Sequence, residues 1–382
     1  MKLFLIAGEA SGDRLGAALM AGLKELAPGV EFTGIGGPLM QAEGMASLFP
    51  MEELSVMGIA EIVPKYRHLK RRIAQTAAEV ARQAPDALIT VDSPDFCLRV
   101  ARLVRAARPE QKTIHYVAPS VWAWRPGRAA KMAEVVDHVL ALLPFEPPYM
   151  EAAGMSCDFV GHPVVSEPLA GAEEAAAFRA AHGIAAEAPV LLALPGSRRG
   201  EVRRLGPVFG AAMARVLAAR PETRVVIPTV GHVAALVREI AAGWPGAPVV
   251  VEAADEKRAS FAAADVALAA SGTVSLELAA NAVPMVIAYD FNWLTWQIMK
   301  RKALIDTVTL VNLVSDSRVV PEFLGPDCRP DRIAPALLTL MQPGPERAAQ
   351  RAAMALTMEH LGKGGERPGL RAARSVLAAL GA

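Results

Sequence analysis

The chain has 382 residues, more than one hydrophobic core normally serves, so we expect two domains. Hydrophobic residues make up 53% of it, and its net charge of +1 gives no global field that would attract nucleic acid or an anionic membrane. The cysteines, Cys97, Cys157 and Cys328, form no CxxC or Cys/His cluster, which argues against disulfide frameworks and zinc sites and favours a reducing compartment.

Short apolar runs alternate with helical patterns from residue 2 onward. The first run lacks the basic and apolar regions of a signal peptide, and no run is long enough to span a bilayer, so we expect a cytosolic protein. The predicted strands are residues 2–7, 31–34, 87–91, 112–117, 138–141, 158–160, 190–194, 224–228, 248–251, 266–269 and 284–288. The predicted helices are residues 15–26, 65–83, 96–107, 128–135, 206–219, 233–242, 257–263 and 273–280. This alternation indicates α/β domains, each a parallel sheet with helices on both faces.

Two interruptions divide the chain. Gly161-His162-Pro163 and Glu167-Pro168 break the periodicity, so we predict a first domain over 1–165 and a second over 166–345. A Pro- and Gly-rich stretch near 341–345 precedes a helical tail over 346–382. Because the tail has no strand of its own, we expect it to pack on one of the domains.

Two strand-to-helix junctions in the second half are candidates for binding a phosphorylated donor. Gly196-Ser197-Arg198 follows one strand and offers a guanidinium suited to phosphate oxygens. Ser271-Gly272-Thr273 opens a helix after another strand, where hydroxyls and backbone N–H groups can hold a diphosphate. Glu277 lies one turn further on and could accept hydrogen bonds from ribose hydroxyls. The alternative is a solvated loop and an ordinary helix N-cap.

The first half carries small-residue loops at matching places. Gly8-Glu9-Ala10-Ser11-Gly12-Asp13 follows the first strand, but it has neither a P-loop ending nor GxGxxG. Gly36 and Gly37 follow the second strand. Such small residues let a ligand approach the backbone, so these loops are candidates for holding the acceptor.

Asp92 and Asp95 follow a strand and precede a helix, where α/β sheets usually place catalytic groups. Either carboxylate could act as a general base toward a hydroxyl, or Asp95 could simply cap the helix. Glu9 and His115 are weaker candidates for the base, since a histidine within a strand is more often a structural hydrogen-bonding residue.

Aromatic and apolar segments suggest contact with the acceptor or with lipid: the paired tryptophans are candidates for the acceptor loop, and two other segments for a membrane face. Trp122 and Trp124 lie in one loop, where paired tryptophans usually cover a ligand or a neighbouring surface. Two further segments combine apolar side chains with a following basic cluster, a pattern that suits an anionic bilayer interface or a plain amphipathic helix. Their candidate membrane or acyl-chain residues are Val56, Met57, Ile59, Ile62, Trp293 and Trp296.

Taken in order, these motifs resemble the lipid-A-disaccharide synthase family over essentially the whole chain. The matching stretches are residues 7–13, 34–38, 57–58, 92–96, 116–124, 144–146, 159–163, 194–198, 270–273, 277 and 311–313. The resemblance implies a GT-B architecture, in which two Rossmann-like domains face a cleft and the C-terminal helices return to the first domain. It also implies that Asn312 faces the donor sugar or diphosphate.

The resemblance further implies the reaction. The donor would be UDP-2,3-diacylglucosamine and the acceptor 2,3-diacylglucosamine 1-phosphate (lipid X). The products would be a β-1,6-linked disaccharide 1-phosphate and UDP. The family inverts the anomeric centre without a metal or cofactor, and the absence of an Asp-x-Asp motif agrees with that. It works peripherally on the cytoplasmic face of the inner membrane, often as a dimer, and binds no nucleic acid.

Two other classes fit the same motifs. A UDP-sugar 2-epimerase would share the donor loops without needing apolar, basic-edged segments. A non-catalytic nucleotide-sugar or lipid-binding protein would have no activity for the aspartates to support.

Overall fold

A computed structural model of the chain describes residues 1–54 and 59–382, and for residues 59–66, 293, 294 and 298 it describes the backbone alone. The chain divides into two compact units. The first comprises Met1–Ser166 and Gly364–Ala382, and the second comprises Glu167–Lys363.

The first unit is built on a seven-stranded parallel sheet. Its strands are β1 (Lys2–Ala7), β2 (Glu31–Ile35), β3 (Ala46–Ser47), β4 (Ala87–Val91), β5 (Thr113–Tyr116), β6 (His138–Ala141) and β7 (Ser156–Phe159). The central strands β1 and β4 are short apolar runs buried on both faces, as expected where helices cover both sides of a sheet. The spatial order is β3-β2-β1-β4-β5-β6-β7, so the order reverses between β1 and β4.

The connecting helices of this unit cover the sheet. They are α1 (Ala10–Leu26), α2 (Pro38–Ala42), α3 (Ile59–Gln83), α4 (Pro94–Ala107), α5 (Gly127–Ala133) and α6 (Pro147–Glu151). The buried face of α1 carries Leu15, Leu19 and Leu23, four residues apart, which is the spacing that keeps them on one side of a helix.

The second unit repeats the plan with a six-stranded parallel sheet. Its strands are β8 (Val190–Leu194), β9 (Arg224–Pro228), β10 (Val249–Val251), β11 (Val266–Ala269), β12 (Met285–Tyr289) and β13 (Glu322–Leu324). The spatial order is β10-β9-β8-β11-β12-β13, so here the order reverses between β8 and β11. The prediction of two parallel α/β domains is confirmed.

Nine helices of the described chain belong to this second unit. They are α7 (Ala172–Ala181), α8 (Arg199–Ala219), α9 (Gly231–Ala241), α10 (Ala254–Ala262), α11 (Val274–Ala280), α12 (Trp293–Lys302), α13 (Leu310–Val314), α14 (Pro330–Leu340) and α15 (Pro345–His360). None of the helices in the described part of the chain has the length and apolar character needed to cross a membrane.

The last helix, α16 (Pro368–Leu380), packs against α1 in the first unit. The two backbones approach closely because glycines face each other: a Cβ on Gly22 would lie 2.6 Å from the carbonyl oxygen of Gly369. Ser375 adds a polar contact, since its hydroxyl donates to Asp158 at 2.6 Å and lies 2.7 Å from Nε2 of buried His138.

The structure differs from the predicted return of the whole tail over 346–382. Helix α15 packs against α11 and α13 within the second unit, and only 364–382 join the first. The physical reason is Gln350, a fully buried side chain that hydrogen-bonds both the N–H and the carbonyl of Met285 on β12. The sequence also missed short elements such as β3 and β13, which are set by pairing with neighbouring strands.

We expect Gly369→Ala to destabilise the first unit, because the added methyl would lie 2.5 Å from the carbonyl oxygen of Ala18. Overpacking of this kind costs about 1–3 kcal/mol, so the thermal midpoint should fall by several degrees. Gly127→Ala on α5 is the control, since its Cβ would meet no atom within 4 Å. Equal midpoints for the two variants, measured by calorimetry, would contradict the close packing of α1 and α16.

Candidate active site

The carboxyl ends of β1 and β4 lie side by side at the point where the strand order of the first sheet reverses. Open α/β sheets bind their ligands at this position. The loops that begin with Gly8 and with Asp92 therefore meet, as a Cβ on Gly8 would lie 2.6 Å from Oγ of Ser93. The structure thus brings together two motifs that are more than eighty residues apart in the sequence.

Three of the eight non-glycine residues with positive φ in the described part of the chain lie at this edge. Asp92 and Ser93 follow β4 with φ of 51° and 44°, and Val117 follows the neighbouring β5 with φ of 86°. A left-handed conformation is unfavourable for a non-glycine residue and most of all for a β-branched one. Strain of this kind is retained mainly at functional sites, so it marks the end of β4 and β5 as a candidate active site.

The two aspartates differ in their surroundings. Asp92 is half-buried, its N–H donates to the carbonyl of Tyr116 at 2.9 Å, and its charge adds to burial in raising the pKa of the Cys97 thiol. Asp95 is exposed in the first turn of α4. Within residues 1–54 and 59–382, no hydrogen bond or ion pair engages either carboxylate. Both are therefore available to a ligand, and Asp92 is the more enclosed.

His115 belongs to the core of the first sheet. Its ring is buried in β5, where Nδ1 lies 2.7 Å from the hydroxyl of Thr90. Burial lowers the pKa of His115 to about 4, so the ring is neutral at physiological pH. Glu9 is the exposed N-cap residue of α1, at the same edge as Gly8.

Part of the small-residue segment after β1 forms the first turn of α1. Helix α1 begins at Ala10, so exposed Ser11 and buried Gly12 lie in its first turn. The carboxylate of Asp13, also in that turn, is buried and accepts the N–H groups of Gly37, Leu39 and Met40 at 2.9–3.0 Å. Asp13 therefore caps α2 from another helix.

Gly36 and Gly37 are likewise buried at this edge. A Cβ on Gly37 would lie 2.6 Å from the carboxylate of Asp13, and one on Gly36 would meet Met45 at the same distance. A larger residue at either position would therefore have to displace the side chain of Asp13 or Met45.

The two tryptophans of the loop after β5 have different roles. Trp122 is only 8% exposed, packs edge-on against Phe145 and donates from Nε1 to Glu146 at 3.2 Å. It is a core residue, which its place in a polar loop did not indicate. Trp124 is half-buried and carries the guanidinium of Arg125 at 4.0 Å from its ring centroid.

In the second sheet, the predicted donor loops lie at the corresponding reversal of strand order. Ala270, after β11, donates its N–H to the carbonyl of Leu194 at the end of β8, at 2.9 Å. The Gly196-Ser197-Arg198 and Ser271-Gly272-Thr273 loops therefore begin beside each other. Each unit thus has two motifs at its strand-order reversal.

Glu201 organises the loop after β8. One carboxylate oxygen accepts the N–H groups of Ser197 and Arg198 at 3.2 and 3.3 Å, and the other lies 3.0 Å from the Arg198 guanidinium and 3.2 Å from the hydroxyl of Tyr289. Gly196, with φ of 111°, has no room for a Cβ beside Glu201. Glutamate at the third position of α8 is a capping-box signal that the sequence did offer.

Arg198 is the most exposed partner in this arrangement. Its side chain is 72% exposed, compared with 15% for Glu201. An ion pair this exposed contributes little to stability, so the guanidinium can turn to another anion at small cost.

The loop after β11 is open. Gly272 has φ of 132°, and a Cβ there would meet no atom within 4 Å, so this glycine is required by its backbone conformation and leaves space above it. Ser271 donates to the carbonyl of Val308 at 3.3 Å, whereas Thr273 is exposed. An anion could therefore approach the backbone N–H groups of this loop.

Glu277 is paired with a residue that the sequence analysis did not single out. Nζ of Lys257, on α10, donates to Oε2 of Glu277 at 2.6 Å. No local pattern marks Lys257, because its partner lies twenty residues away and the contact depends on how α10 and α11 pack.

The structure places Asn312 differently from the prediction. It lies in α13, and only 1% of its surface is exposed. Its side chain donates to the carbonyl of Val320 at 3.0 Å and accepts the N–H of Val320 at 3.0 Å. The buried amide therefore fixes the segment before β13 and has no free edge toward a donor.

The predicted membrane segments are only partly visible. Val56 and Met57 lie outside the described residues, as do the side chains of Ile59, Ile62 and Trp293. Trp296 is half-buried and stacks on Phe291 at 5.8 Å between ring centroids. It also covers Gly325, where a Cβ would lie 2.7 Å from the indole, so Trp296 packs within its own unit.

Solved structures place the chain in the GT-B class. The UDP-N-acetylglucosamine 2-epimerase of Neisseria meningitidis, bound to UDP-GlcNAc, aligns over 100% of this chain and 99% of its own with a TM-score of 0.67 and 12% identity. The calicheamicin glycosyltransferase CalG4 aligns over 100% of this chain and 98% of its own, with a TM-score of 0.58 and 17% identity. At these identities the likeness is one of fold, and it confirms the fold expected from the motifs.

Sequence comparison identifies the family. The family model for lipid-A-disaccharide synthetase matches residues 3–372. The lipid-A-disaccharide synthase of Ruegeria pomeroyi is 65% identical over 99% of this chain and 95% of its own length. The chain therefore belongs to the lipid-A-disaccharide synthase family of glycosyltransferases, which confirms the resemblance inferred from its motifs and makes the epimerase a distant relative in fold.

The buried carboxyl of Glu146 gives the first unit a pH-dependent stability. Burial raises the pKa of Glu146 from 4.5 to about 7, against the opposing effect of hydrogen bonds from Leu143 and Trp122. The folded chain therefore holds a proton that the unfolded chain releases, so stability falls as pH rises from about 4.5 through 7.

We expect the free energy of unfolding of the parent chain, minus that of the Glu146→Gln variant, to fall by about 2 kcal/mol between about pH 5 and about pH 8. Thermal midpoints of the two proteins at each pH give this difference. Glu134→Gln is the control, because that side chain is 63% exposed. A difference between parent and Glu146→Gln that stays constant over this range would contradict a buried, protonated carboxyl.

Proposed function

We propose that this chain transfers 2,3-diacylglucosamine from its UDP derivative to the 6-hydroxyl of 2,3-diacylglucosamine 1-phosphate. The products are the β-1,6-linked disaccharide 1-phosphate, from which lipid A is made, and UDP. The family match over residues 3–372 carries this proposal. The motif pairs at both strand-order reversals support it, because they supply an acid–base site and an anion site on separate sheets.

The donor nucleotide is assigned to the carboxyl edge of β8 and β11. The exposed guanidinium of Arg198 binds the diphosphate, and Ser197 and the Ser271-Gly272-Thr273 loop contribute N–H and hydroxyl donors. The open space above Gly272 supports this placement. Glu277 accepts the ribose hydroxyls.

The acceptor hydroxyl is assigned to the end of β4. Asp92 is the first candidate for the base and Asp95 the second, because both are unpaired in the described chain and Asp92 is the more enclosed. The base removes the proton of the 6-hydroxyl as its oxygen attacks the anomeric carbon from the face opposite UDP, which inverts that centre. Glu9 is at the same edge, whereas His115 is absorbed into the core.

The leaving UDP gains negative charge as the bond to the anomeric carbon breaks. Arg198 and the N–H groups of the Ser271–Thr273 loop stabilise that charge, each well-placed donor contributing roughly 3 kcal/mol to lowering the barrier. In this proposal the positive charge that stabilises the leaving UDP comes from the protein's own groups, and no metal or cofactor takes part.

The acylated substrates require access to a bilayer. We assign the apolar residues Val56, Met57, Ile59 and Ile62, with the basic residues that follow them, to peripheral attachment at the cytoplasmic face of the inner membrane. The exposed Lys300, Arg301 and Lys302 at the end of α12 would add attraction to anionic headgroups.

The reaction can be tested directly. With both acylated substrates and excess chelator, the protein should form a disaccharide monophosphate, detected by mass spectrometry, and release UDP in equal amount. Asp92→Asn should lower kcat by about 10²-fold or more, because the amide cannot accept the proton, while UDP affinity stays unchanged.

Asp95→Asn is the matched variant, since it removes the other carboxylate of the same loop. A larger loss for Asp95→Asn than for Asp92→Asn would transfer the role of base to Asp95. Release of UDP without acceptor, or formation of a 2-epimer, would contradict a transferase.

Membrane attachment is tested by introducing charge. A variant with glutamate at Val56, Ile59 and Ile62 should sediment less with anionic vesicles and turn over dispersed lipid more slowly, because charge opposes insertion into the interface. Leu103→Glu is the control, as Leu103 is a 46% exposed apolar residue on α4. Unaltered sedimentation of the triple variant would contradict the assignment.

A further inference from the structure

The acidic residues at the donor edge of the second sheet are each held by a cation. Glu201 pairs with Arg198 after β8, and Glu277 pairs with Lys257 after β11. The first pair joins residues of a single turn, but the second joins two different helices, α10 and α11. The proposed reaction assigns roles to Arg198 and Glu277, and it leaves Lys257 without one.

The Lys257–Glu277 contact is short and partly shielded. Nζ lies 2.6 Å from Oε2, and the two side chains are 34% and 30% exposed. A charge-assisted hydrogen bond of this length is stronger than an exposed ion pair. In the described chain the other carboxylate oxygen, Oε1, has no partner, so the lysine fixes one oxygen and leaves the other for a ligand.

Both ends of the contact are anchored. Nζ of Lys257 lies over the buried ring of Phe261, 5.5 Å from its centroid. Glu277 lies between the buried residues Leu276 and Leu278 of α11, the helix that begins at the Ser271-Gly272-Thr273 loop. The hydrogen bond from Lys257 therefore holds a carboxylate on the helix that starts at that loop.

An unpaired carboxylate next to a diphosphate would repel it. Lys257 makes the pair neutral overall, which offsets the repulsion between the carboxylate and the nucleotide's own negative charge. A cation bound to the far side of a carboxylate also restricts the side chain to few rotamers, which lowers the entropy cost of binding.

We propose that Lys257 is a positioning residue that orients Glu277 toward the ribose hydroxyls and thereby makes the site select ribonucleotides over deoxyribonucleotides. This rests on the proposed function, which assigns the ribose to Glu277. The lysine acts through the carboxylate, so its effect depends on the presence of the hydroxyl that Glu277 recognises.

The test compares UDP with 2′-deoxy-UDP, titrated calorimetrically into the full chain. Lys257→Met should weaken UDP binding about ten-fold and 2′-deoxy-UDP binding much less, since only UDP has the hydroxyl bond to lose. Lys257→Arg should restore most of the preference for UDP. Arg258→Met is the matched control, because Arg258 is the next residue on α10 and its guanidinium lies 4.0 Å from Glu174.

Equal weakening of both nucleotides by Lys257→Met would overturn the inference, as would no change for either. Glu277→Gln separates this inference from the proposed function. If Glu277→Gln abolishes the preference for UDP and Lys257→Met does not, only the role of Lys257 fails. If Glu277→Gln leaves the preference unchanged, the ribose assignment and the role of Lys257 fail together.

Discussion

The reversal of strand order in each parallel sheet is the constraint on which the rest of the site depends. Connections on either side of β1 and β4, and of β8 and β11, run in opposite directions, so the loops at these carboxyl ends have no helix crossing over them. Short motifs far apart in the sequence meet there. Without that topology, the two aspartates and the two donor loops would be unrelated surface features.

Charge at the donor edge is balanced within the protein. Arg198 is matched by Glu201 and Lys257 by Glu277, so these two pairs cancel their own charges in the loops after β8 and β11. Arg198 is held only at the surface, which leaves it free to exchange a carboxylate for a diphosphate. Glu201 also holds the backbone of this loop, since one of its oxygens accepts the N–H groups of Ser197 and Arg198.

Much of the fold could be predicted, because strands buried in parallel sheets appear in the sequence as short apolar runs between helical patterns. The predicted bounds of β1, β4 and β8 agree with the structure. Site residues were harder to predict, because their roles depend on partners distant in sequence. Asp13 caps α2 and Asn312 binds Val320, so both are used by the fold itself. Lys257 was missed for the same reason, as only tertiary packing brings it to Glu277.

A crystal structure of the chain with UDP, prepared in chelator, tests the central claim most directly. The account requires the diphosphate to lie against Arg198 and the N–H groups of residues 271–273, with the ribose hydroxyls at Glu277. Nucleotide bound at another edge of the second sheet, or bound only when a divalent cation bridges it to the protein, would contradict the account.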